Sequence, residues 1–220
     1  MHKREISTAI VDIGIVPIVR AESSASAIRA VEAIINGGIR AAEITMTTPG
    51  ALQALEKLAD ELGERIVLGA GTVLDPETAR ACILAGAQFI VTPTLRPATI
   101  EVARRYSRVV IPGALTPTEV LTAWEAGADM VKVFPCDNVG GPKYIKALKA
   151  PLPQVEMIPT GGVNLETAGA FLKAGACAVA VGSELVDSAS VRAGRFDVIE
   201  ERARKFREAI AKARAEMAAG

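Results

Sequence analysis

Lys132 is the residue whose surroundings most clearly suggest covalent chemistry. It lies in the apolar segment 130–135, MVKVFP, which has the composition of a buried strand. If the face it shares with Met130 and Phe134 points into the core, the loss of water favours the uncharged amine. Such an amine can add to a carbonyl and form a Schiff base. The segment is also compatible with a structural lysine paired with a carboxylate.

Glu43 is the natural partner of Lys132. It lies in the segment 41–45, AAEIT, again with few polar neighbours. A carboxylate among apolar strand residues has a raised pKa and can transfer protons. The alternative is an ion pair that only neutralises Lys132. The two interpretations overlap, since a resting ion pair can also be the catalytic pair.

Glycines and hydroxyls follow the last two apolar segments of the chain. Thr160, Gly161 and Gly162 follow one, and Gly182 and Ser183 follow the other. Glycines allow backbone N–H groups to approach an anion, and the hydroxyls can donate further hydrogen bonds. These residues predict a phosphate or carboxylate site, although glycines also occur in ordinary turns.

Three further polar residues stand where apolar segments end. Arg20 could hold a carboxylate with its planar guanidinium, or form a solvent-facing salt bridge. Thr72 and Thr92 could donate to substrate oxygens, or cap their own loops. Cys136 has no histidine or second cysteine nearby, so it is interpreted as structural or incidental.

Composition excludes several classes of protein. The 220 residues carry a formal net charge of zero, which argues against nucleic-acid binding. One histidine, His2, excludes Ser-His-Asp and Cys-His triads and multi-histidine metal sites. The cysteines, Cys82, Cys136 and Cys177, form no C-x-x-C pair, so we expect no metal and a reducing compartment.

The segment Ala9 to Val19 is apolar, but Asp12 interrupts it and no small-residue cleavage site follows. We therefore expect no signal peptide and no membrane span. Together with the cysteine usage, this predicts a cytoplasmic protein without a membrane partner.

The elements that position these residues repeat in pattern. Short apolar runs rich in Val and Ile recur roughly every 23 residues, a spacing typical of strands alternating with helices. Few charges interrupt them, which predicts parallel strands buried on both faces. The runs begin at Gly14, Ile39, Arg65, Gln88, Arg108, Asp129, Val155 and Cys177.

Helical patterns fill the intervals. The stretch 26–36 has apolar residues at helical spacing, and Asp75 and Thr116 each precede a proline, as helix N-caps do. Trp124 and Phe171 fall on apolar helix faces and are predicted to be core residues. Glycines just before the next runs predict left-handed C-caps, at Gly37-Gly38, Gly86, Gly127 and Gly175.

These patterns predict an α/β fold, a (β/α)8 TIM barrel, in a single domain spanning 1–220. The barrel occupies about 10–190, and a charged amphipathic helix over about 195–218 closes it. A doubly wound open sheet is the alternative, but it normally carries a glycine-rich fingerprint after its first strand. In such barrels the active site lies at the C-terminal ends of the strands, where the polar residues above are found.

Several ordered motifs resemble one enzyme family. They run from about Ile15 to Val186: 43–45 EIT, 69–73 GAGTV, 111–113 IPG, 132–135 KVFP, 159–163 PTGGV and 182–183 GS. This set resembles the class I aldolases for 2-keto-3-deoxy-6-phosphogluconate and 4-hydroxy-2-oxoglutarate. The resemblance implies a (β/α)8 barrel, a homotrimer, and a lyase that needs no metal or cofactor.

The resemblance also implies roles for single residues. Lys132 matches the Schiff-base lysine and Glu43 the general acid/base. The pyruvate end of the substrate matches Thr72, Pro93 and Phe134, and the phosphate end matches Thr160, Gly161, Gly162 and Ser183. Arg20 matches an arginine found at the first strand in part of the family.

The chain departs from the family pattern at Thr47. Many members have an arginine there that binds the substrate carboxylate, whereas some, including some that act on the galactonate epimer, lack it. The carboxylate is therefore expected to rest on Arg20 and Thr72, and the identity of the sugar acid stays open.

The implied reaction cleaves a phosphorylated 2-keto-3-deoxy sugar acid to pyruvate and glyceraldehyde 3-phosphate, or 4-hydroxy-2-oxoglutarate to pyruvate and glyoxylate. Two other classes of function stay open, since function depends on the site and not on the fold alone. One is a sugar-phosphate epimerase or isomerase that uses the same residues without covalent bonding. The other is a non-catalytic barrel that binds a phosphorylated metabolite or serves as an assembly subunit.

Overall fold

The computed structural model describes residues 2–219, in which nine short strands and ten α-helices alternate. The strands are β1 (Ile15–Val19), β2 (Ala41–Thr45), β3 (Val67–Gly71), β4 (Phe89–Val91), β5 (Val109–Ile111), β6 (Gly113–Ala114), β7 (Val131–Val133), β8 (Met157–Pro159) and β9 (Val179–Val181). The helices are α1 (Lys3–Ile13), α2 (Ser24–Asn36), α3 (Ala51–Leu62), α4 (Pro76–Leu84), α5 (Pro97–Arg105), α6 (Pro117–Glu125), α7 (Pro142–Lys149), α8 (Ala168–Lys173), α9 (Ser188–Arg192) and α10 (Phe196–Ala219). Short 3-10 segments cover Gly63–Arg65 and Asp137–Val139.

All strand pairings are parallel. Six strands form one sheet in the order β5-β4-β3-β2-β1-β9, and three form a second in the order β6-β7-β8. Pro112 alone separates β5 from β6, so the fifth predicted run is one strand path in two pieces. At the other side, Thr160 forms a parallel bridge with Ala180. The chain therefore has an α/β fold in which a parallel sheet curls into a half-barrel.

The apolar side chains form two separate clusters. The larger lies between the strands and the surrounding helices and includes Ile44, Leu55 and Phe171. The smaller lies on the inner face of the strands, where Phe89, Val109 and neighbouring side chains are almost fully buried. Strands buried on both faces explain the continuous apolar runs in the sequence.

Helix α1 was not predicted from the sequence. Its residues Ile6 and Ile10 join the inner cluster, and the helix contacts β1, β3 and β5. The apolar segment Ala9 to Val19 thus contains the end of a helix and all of β1. Gly14, with φ 77°, ends the helix by donating its N–H to the Ile10 carbonyl.

The helix boundaries follow the predicted caps. Asp75 accepts a hydrogen bond from the Thr78 N–H at the start of α4, and Thr116 accepts from the Glu119 N–H at the start of α6. Positive φ is found at four of the predicted C-cap glycines: Gly38, Gly86, Gly127 and Gly175. Gly37 instead has a right-handed helical conformation.

Of the two aromatic residues predicted as core, one is buried. Phe171 is 1% exposed, as predicted, but Trp124 is 42% exposed, so that prediction was wrong. Trp124 lies one residue before the end of α6, on a part of the helix that no other element of residues 2–219 covers fully. The predicted C-terminal helix is α10, which packs against α2 and α8.

Candidate active site

An open cavity of about 620 Å³ contains side chains from the carboxyl ends of the strands. It lies where the barrel prediction placed the chemistry. Eleven of the twelve site residues predicted from the sequence line it: Arg20, Glu43, Thr72, Pro93, Lys132, Phe134, Thr160, Gly161, Gly162, Gly182 and Ser183.

Lys132 is held in the cavity wall by its strand. It is the central residue of β7, and its N–H donates to the Pro112 carbonyl at 2.9 Å. The residue is only 7% exposed. Its Nζ lies 5.3 Å from the centroid of the Phe134 ring, within cation–π distance. Lys132 therefore points inward, the orientation on which its covalent chemistry depends, and it lines the cavity.

Glu43 is the buried carboxylate of the cavity. It sits in the middle of β2, paired with Ile18 of β1 and Gly69 of β3, and is 1% exposed. Burial raises the pKa of Glu43, and the charges of Lys132 and Arg20 partly oppose that increase. The raised pKa predicted from the strand composition is thus found, with loss of solvent as its main cause.

Gly71 leaves the space that the Glu43 carboxylate occupies. A methyl group on Gly71, at the end of β3, would lie 1.7 Å from Glu43 Oε1. No real contact is that short, so glycine is required for the observed carboxylate position. Gly71 belongs to the GAGTV motif but was not predicted to have a role at the site.

Thr160 and the two glycines after it form another wall of the cavity. The Thr160 hydroxyl oxygen is buried and has no hydrogen-bond partner within residues 2–219. Gly161 and Gly162 have φ of 96° and 70°, and a methyl group on either would come within 2.7 Å of Asp137. The glycines thus allow the backbone to approach Asp137 closely. The Thr160 hydroxyl is available to a ligand.

Thr72 has an unusual backbone conformation next to the cavity. Its φ is 56°, a left-handed value that is rare for a β-branched residue and typical of functional positions. Pro93 lines the same cavity as Thr72. A methyl group on Gly113 would lie 2.4 Å from the Pro93 carbonyl oxygen, so glycine at 113 allows this close backbone contact.

Two of the open alternatives are decided by hydrogen bonds. Thr92 donates to the Thr94 carbonyl and accepts from the Gly113 N–H, so it caps its own loop. Cys136 is buried and contacts the Gly141 carbonyl, and burial raises the pKa of its thiol to about 12. Both residues support the structure around the site.

Thr47 is the predicted site residue that does not line the cavity. Its hydroxyl accepts a hydrogen bond of 3.1 Å from Nε of Arg20 instead. Arg20 forms none of the ion pairs found within residues 2–219, so the alternative of a solvent-facing salt bridge is not observed.

Several lining residues were not predicted from the sequence, and most of them stand in the loops after β7, β8 and β9. Each lies close to a predicted residue along the chain, and proximity to those motifs was the only signal available. They are Ile18, Asp137, Val163, Asn164, Ala180, Glu184, Val186 and Ser188.

Within the range 2–219, no group of three or more His, Cys, Asp or Glu side chains is arranged to hold a metal ion. None of the helices described is both long and apolar enough to cross a bilayer. The cavity instead offers an amine, a carboxylate of raised pKa and a guanidinium, a set suited to imine chemistry on a keto acid.

Comparison with known proteins agrees with this geometry. The family model described as KDPG and KHG aldolase matches residues 6–202. The chain is 39% identical over 172 residues to the 2-dehydro-3-deoxy-6-phosphogalactonate aldolase of Escherichia coli, covering 78% of this chain and 83% of that one. It is 34% identical over 194 residues to the 2-dehydro-3-deoxy-phosphogluconate aldolase of Treponema pallidum, covering 88% and 92%.

Solved structures give the same result. The KDPG aldolase of Legionella pneumophila, with pyruvate captured as a covalent carbinolamine intermediate, superposes with a TM-score of 0.84 at 27% identity, covering 90% of this chain and 96% of that one. A cube-shaped protein cage designed by fusing symmetric oligomeric domains gives a TM-score of 0.86 at 35% identity, covering 93% of this chain and 74% of that one. From the match over residues 6–202 and these identities, the chain belongs to the KDPG and KHG aldolase family.

Proposed function

We propose that this protein is a Schiff-base aldolase that cleaves a 2-keto-3-deoxy-6-phospho sugar acid to pyruvate and glyceraldehyde 3-phosphate. The observation that carries the proposal is the placement of Lys132 and Glu43, both buried, on the wall of one open cavity. Family membership supports it. The second substrate of the family, 4-hydroxy-2-oxoglutarate, would give pyruvate and glyoxylate by the same chemistry.

Lys132 supplies the covalent step. Its uncharged amine adds to the C2 ketone. Glu43 donates its proton to the hydroxyl of the carbinolamine, which leaves as water and gives a protonated imine. The ionised Glu43 then removes the proton of the C4 hydroxyl, and the C3–C4 bond breaks. Its electron pair moves into the imine to form an enamine, while the aldehyde product leaves. Glu43 returns the proton to C3, and water hydrolyses the imine to release pyruvate and the free amine.

The remaining cavity residues divide between the two ends of the substrate. Arg20 and Thr72 hold the carboxylate, and Pro93 and Phe134 line the pyruvate end. Thr160, Gly161, Gly162, Gly182 and Ser183 receive the phosphate end through hydroxyl and backbone N–H groups. Support for the phosphate end comes from the buried Thr160 hydroxyl, which has no hydrogen-bond partner within residues 2–219.

Trapping tests the covalent route. Incubation with pyruvate and borohydride should add a reduced pyruvyl group to Lys132, which peptide mass spectrometry detects. Lys132→Met should abolish both the adduct and pyruvate release, whereas Lys146→Met, on the exposed face of α7, should change neither. Interconversion of sugar phosphates, with neither pyruvate release nor an adduct at Lys132, would instead indicate the non-covalent epimerase or isomerase chemistry.

The galactonate epimer is a second candidate substrate. It is favoured by Thr47 in place of an arginine and by Arg20 at the cavity, together with the 39% identity to a phosphogalactonate aldolase. Pyruvate release from a panel of gluconate-series and galactonate-series acids, each with and without phosphate, will rank the two. Equal rates would mean that the site does not distinguish them.

We also propose a single domain with one closed (β/α)8 barrel, a homotrimeric assembly and a cytoplasmic location. The junctions at Pro112 and at Thr160–Ala180 support closure of the barrel. Leu121 and Trp124, 36% and 42% exposed on α6, offer apolar surface for assembly, and free thiols at Cys82, Cys136 and Cys177 suit the cytoplasm. Light scattering should give three times the chain mass of 22.9 kDa.

A further inference from the structure

Arg20 lies at the cavity and forms none of the ion pairs found within residues 2–219. It follows β1 directly. Its side chain is long and exposed, so it would sample many rotamers unless a contact restrains it. Within the described part of the chain, Arg20 makes one side-chain hydrogen bond, from Nε to the Thr47 hydroxyl, at 3.1 Å.

The Thr47 hydroxyl is one link in a chain of hydrogen bonds. It lies 2.9 Å from the Thr45 hydroxyl, and the Thr45 hydroxyl donates to the Val19 carbonyl at 3.2 Å. A hydroxyl has a single proton. Because the proton of Thr45 goes to Val19, Thr47 donates to Thr45, and its own oxygen is left to accept from Arg20. The chain therefore runs in one direction, from the guanidinium to the backbone of β1.

The inner end of this chain is fixed by the fold. Thr45 is the last residue of β2 and is fully buried, and Thr48 is 3% exposed. The Thr48 hydroxyl accepts from the Ala21 N–H at 3.1 Å. These threonines join the end of β1 to the β2–α3 turn, so the hydroxyl offered by Thr47 has a rigid support.

Occupation of Nε leaves the two terminal nitrogens of Arg20 for another partner. Those nitrogens can present paired N–H groups to a carboxylate. A guanidinium already held in place loses less conformational freedom when the ligand binds. Thr47 itself does not reach the cavity, so any effect it has on the ligand must pass through Arg20.

We propose that Thr47 is a positioning residue, which holds Arg20 so that its terminal N–H groups bind the carboxylate of the 2-keto acid. The inference rests on the proposed function for the identity of the ligand. The hydroxyls of Thr47 and Thr45 together hold Arg20, the one arginine that lines the cavity among the residues described.

Binding of oxamate tests this directly. Oxamate resembles pyruvate, but its carbonyl is an amide and forms no imine, so its affinity reports carboxylate binding without the covalent step. Thr47→Val keeps the shape and removes the hydroxyl, and we expect oxamate to bind about five- to tenfold more weakly. Thr47→Ser restores the hydroxyl and should bind within about twofold of the unaltered protein. In pyruvate-forming turnover, Thr47→Val should raise KM and leave kcat nearly unchanged.

A double-mutant cycle with Arg20→Met separates positioning from other roles. In the Arg20→Met background, Thr47→Val should have no further effect on oxamate affinity. The proposal is wrong if Thr47→Val weakens binding equally in both backgrounds, if it has no effect in either, or if oxamate does not bind the unaltered protein. Failure of the proposed function has a different signature, because pyruvate and borohydride would then leave Lys132 unmodified while the oxamate cycle still reports on Thr47.

Discussion

The surroundings of Glu43 disfavour its ionised form and, for the same reason, suit its carboxyl group to proton transfer. Its carboxylate is 1% exposed, and burial outweighs the opposing charges of Lys132 and Arg20, so its pKa is raised. A carboxyl group with a raised pKa exchanges protons closer to neutral pH than an ordinary one. The ionised form that the proposed bond cleavage requires is therefore the form that the fold disfavours.

This conflict predicts that Glu43→Gln stabilises the protein at alkaline pH. A pKa raised above the value of 4.5 means that the folded state binds this proton more tightly than the unfolded state does. The resulting stability is present below pH 4.5 and is lost as the pH rises through the folded pKa. Glutamine does not ionise, so at pH 8 the variant should have a Tm a few degrees higher, with pyruvate release greatly slowed.

The Tm difference between Glu43→Gln and the unaltered protein should shrink as the pH falls. Glu56→Gln, on the exposed surface of α3, is the matched control and should not show this pH dependence. A Glu43→Gln variant that is less stable than the unaltered protein at pH 8 would mean that the interaction with Lys132 and Arg20 outweighs burial.

Residue types within and after the strands were enough to predict eleven of the residues that line the cavity. Lys132 and Glu43 are conspicuous because a charge inside an apolar run needs an explanation. Thr47 could not be placed, because its position depends on where the β2–α3 turn carries a short side chain. The left-handed backbone of Thr72 has no signal in residue type, since threonine rarely adopts it.

At the scale of elements, β3 carries two glycines on its inner face for different reasons. Gly69 and Gly71 are two residues apart and so point the same way. A methyl group on Gly69 would lie 2.2 Å from the Phe89 ring, and one on Gly71 would lie 1.7 Å from Glu43 Oε1. One glycine makes room for the inner cluster, and the other makes room for the carboxylate.

Alanine at these two positions should therefore have separable effects. Gly71→Ala must displace the Glu43 carboxylate, and a shift of that size should lower kcat by on the order of a hundredfold. Gly69→Ala overpacks the inner cluster and should destabilise the fold by about 1–3 kcal/mol, with turnover per folded molecule changed by less than about tenfold. Circular dichroism and pyruvate release, measured on the same samples, distinguish them. Equal losses of kcat in both variants would show that β3 responds as a unit.

The elements that could be predicted are those that carry a local signal in the sequence. Strands and helices were located because each has a local signal: a short apolar run, Asp75 or Thr116 as an N-cap, or a glycine such as Gly86 at a C-terminus. Helix α1 was missed because the single apolar segment Ala9 to Val19 contains both the end of this helix and all of β1. Trp124 was placed wrongly because an apolar helix face does not distinguish a core from an uncovered surface.

At the scale of the whole molecule, the inner cluster lies between helix α1, here called the base of the fold, and the cavity. Ile6 and Ile10 of α1 are 1% and 0% exposed and pack with Phe89, Val109 and the other inner side chains. Lys132 and Glu43 lie beyond this layer, toward the open cavity. The base can therefore lose packing energy without a direct effect on the groups that meet a ligand.

Ile10→Ala tests this division between stability and function. Removing a fully buried isoleucine side chain costs about 2–5 kcal/mol, so the free energy of unfolding in urea should fall by that amount. Thr8→Ala, at an exposed position of the same helix, should change it by less than about 0.5 kcal/mol. Both variants should keep the unaltered KM and kcat at a temperature where they remain folded, because α1 supplies no side chain to the cavity among those described. A raised KM in Ile10→Ala alone would show that the packing of the base also sets the positions of Lys132 and Glu43.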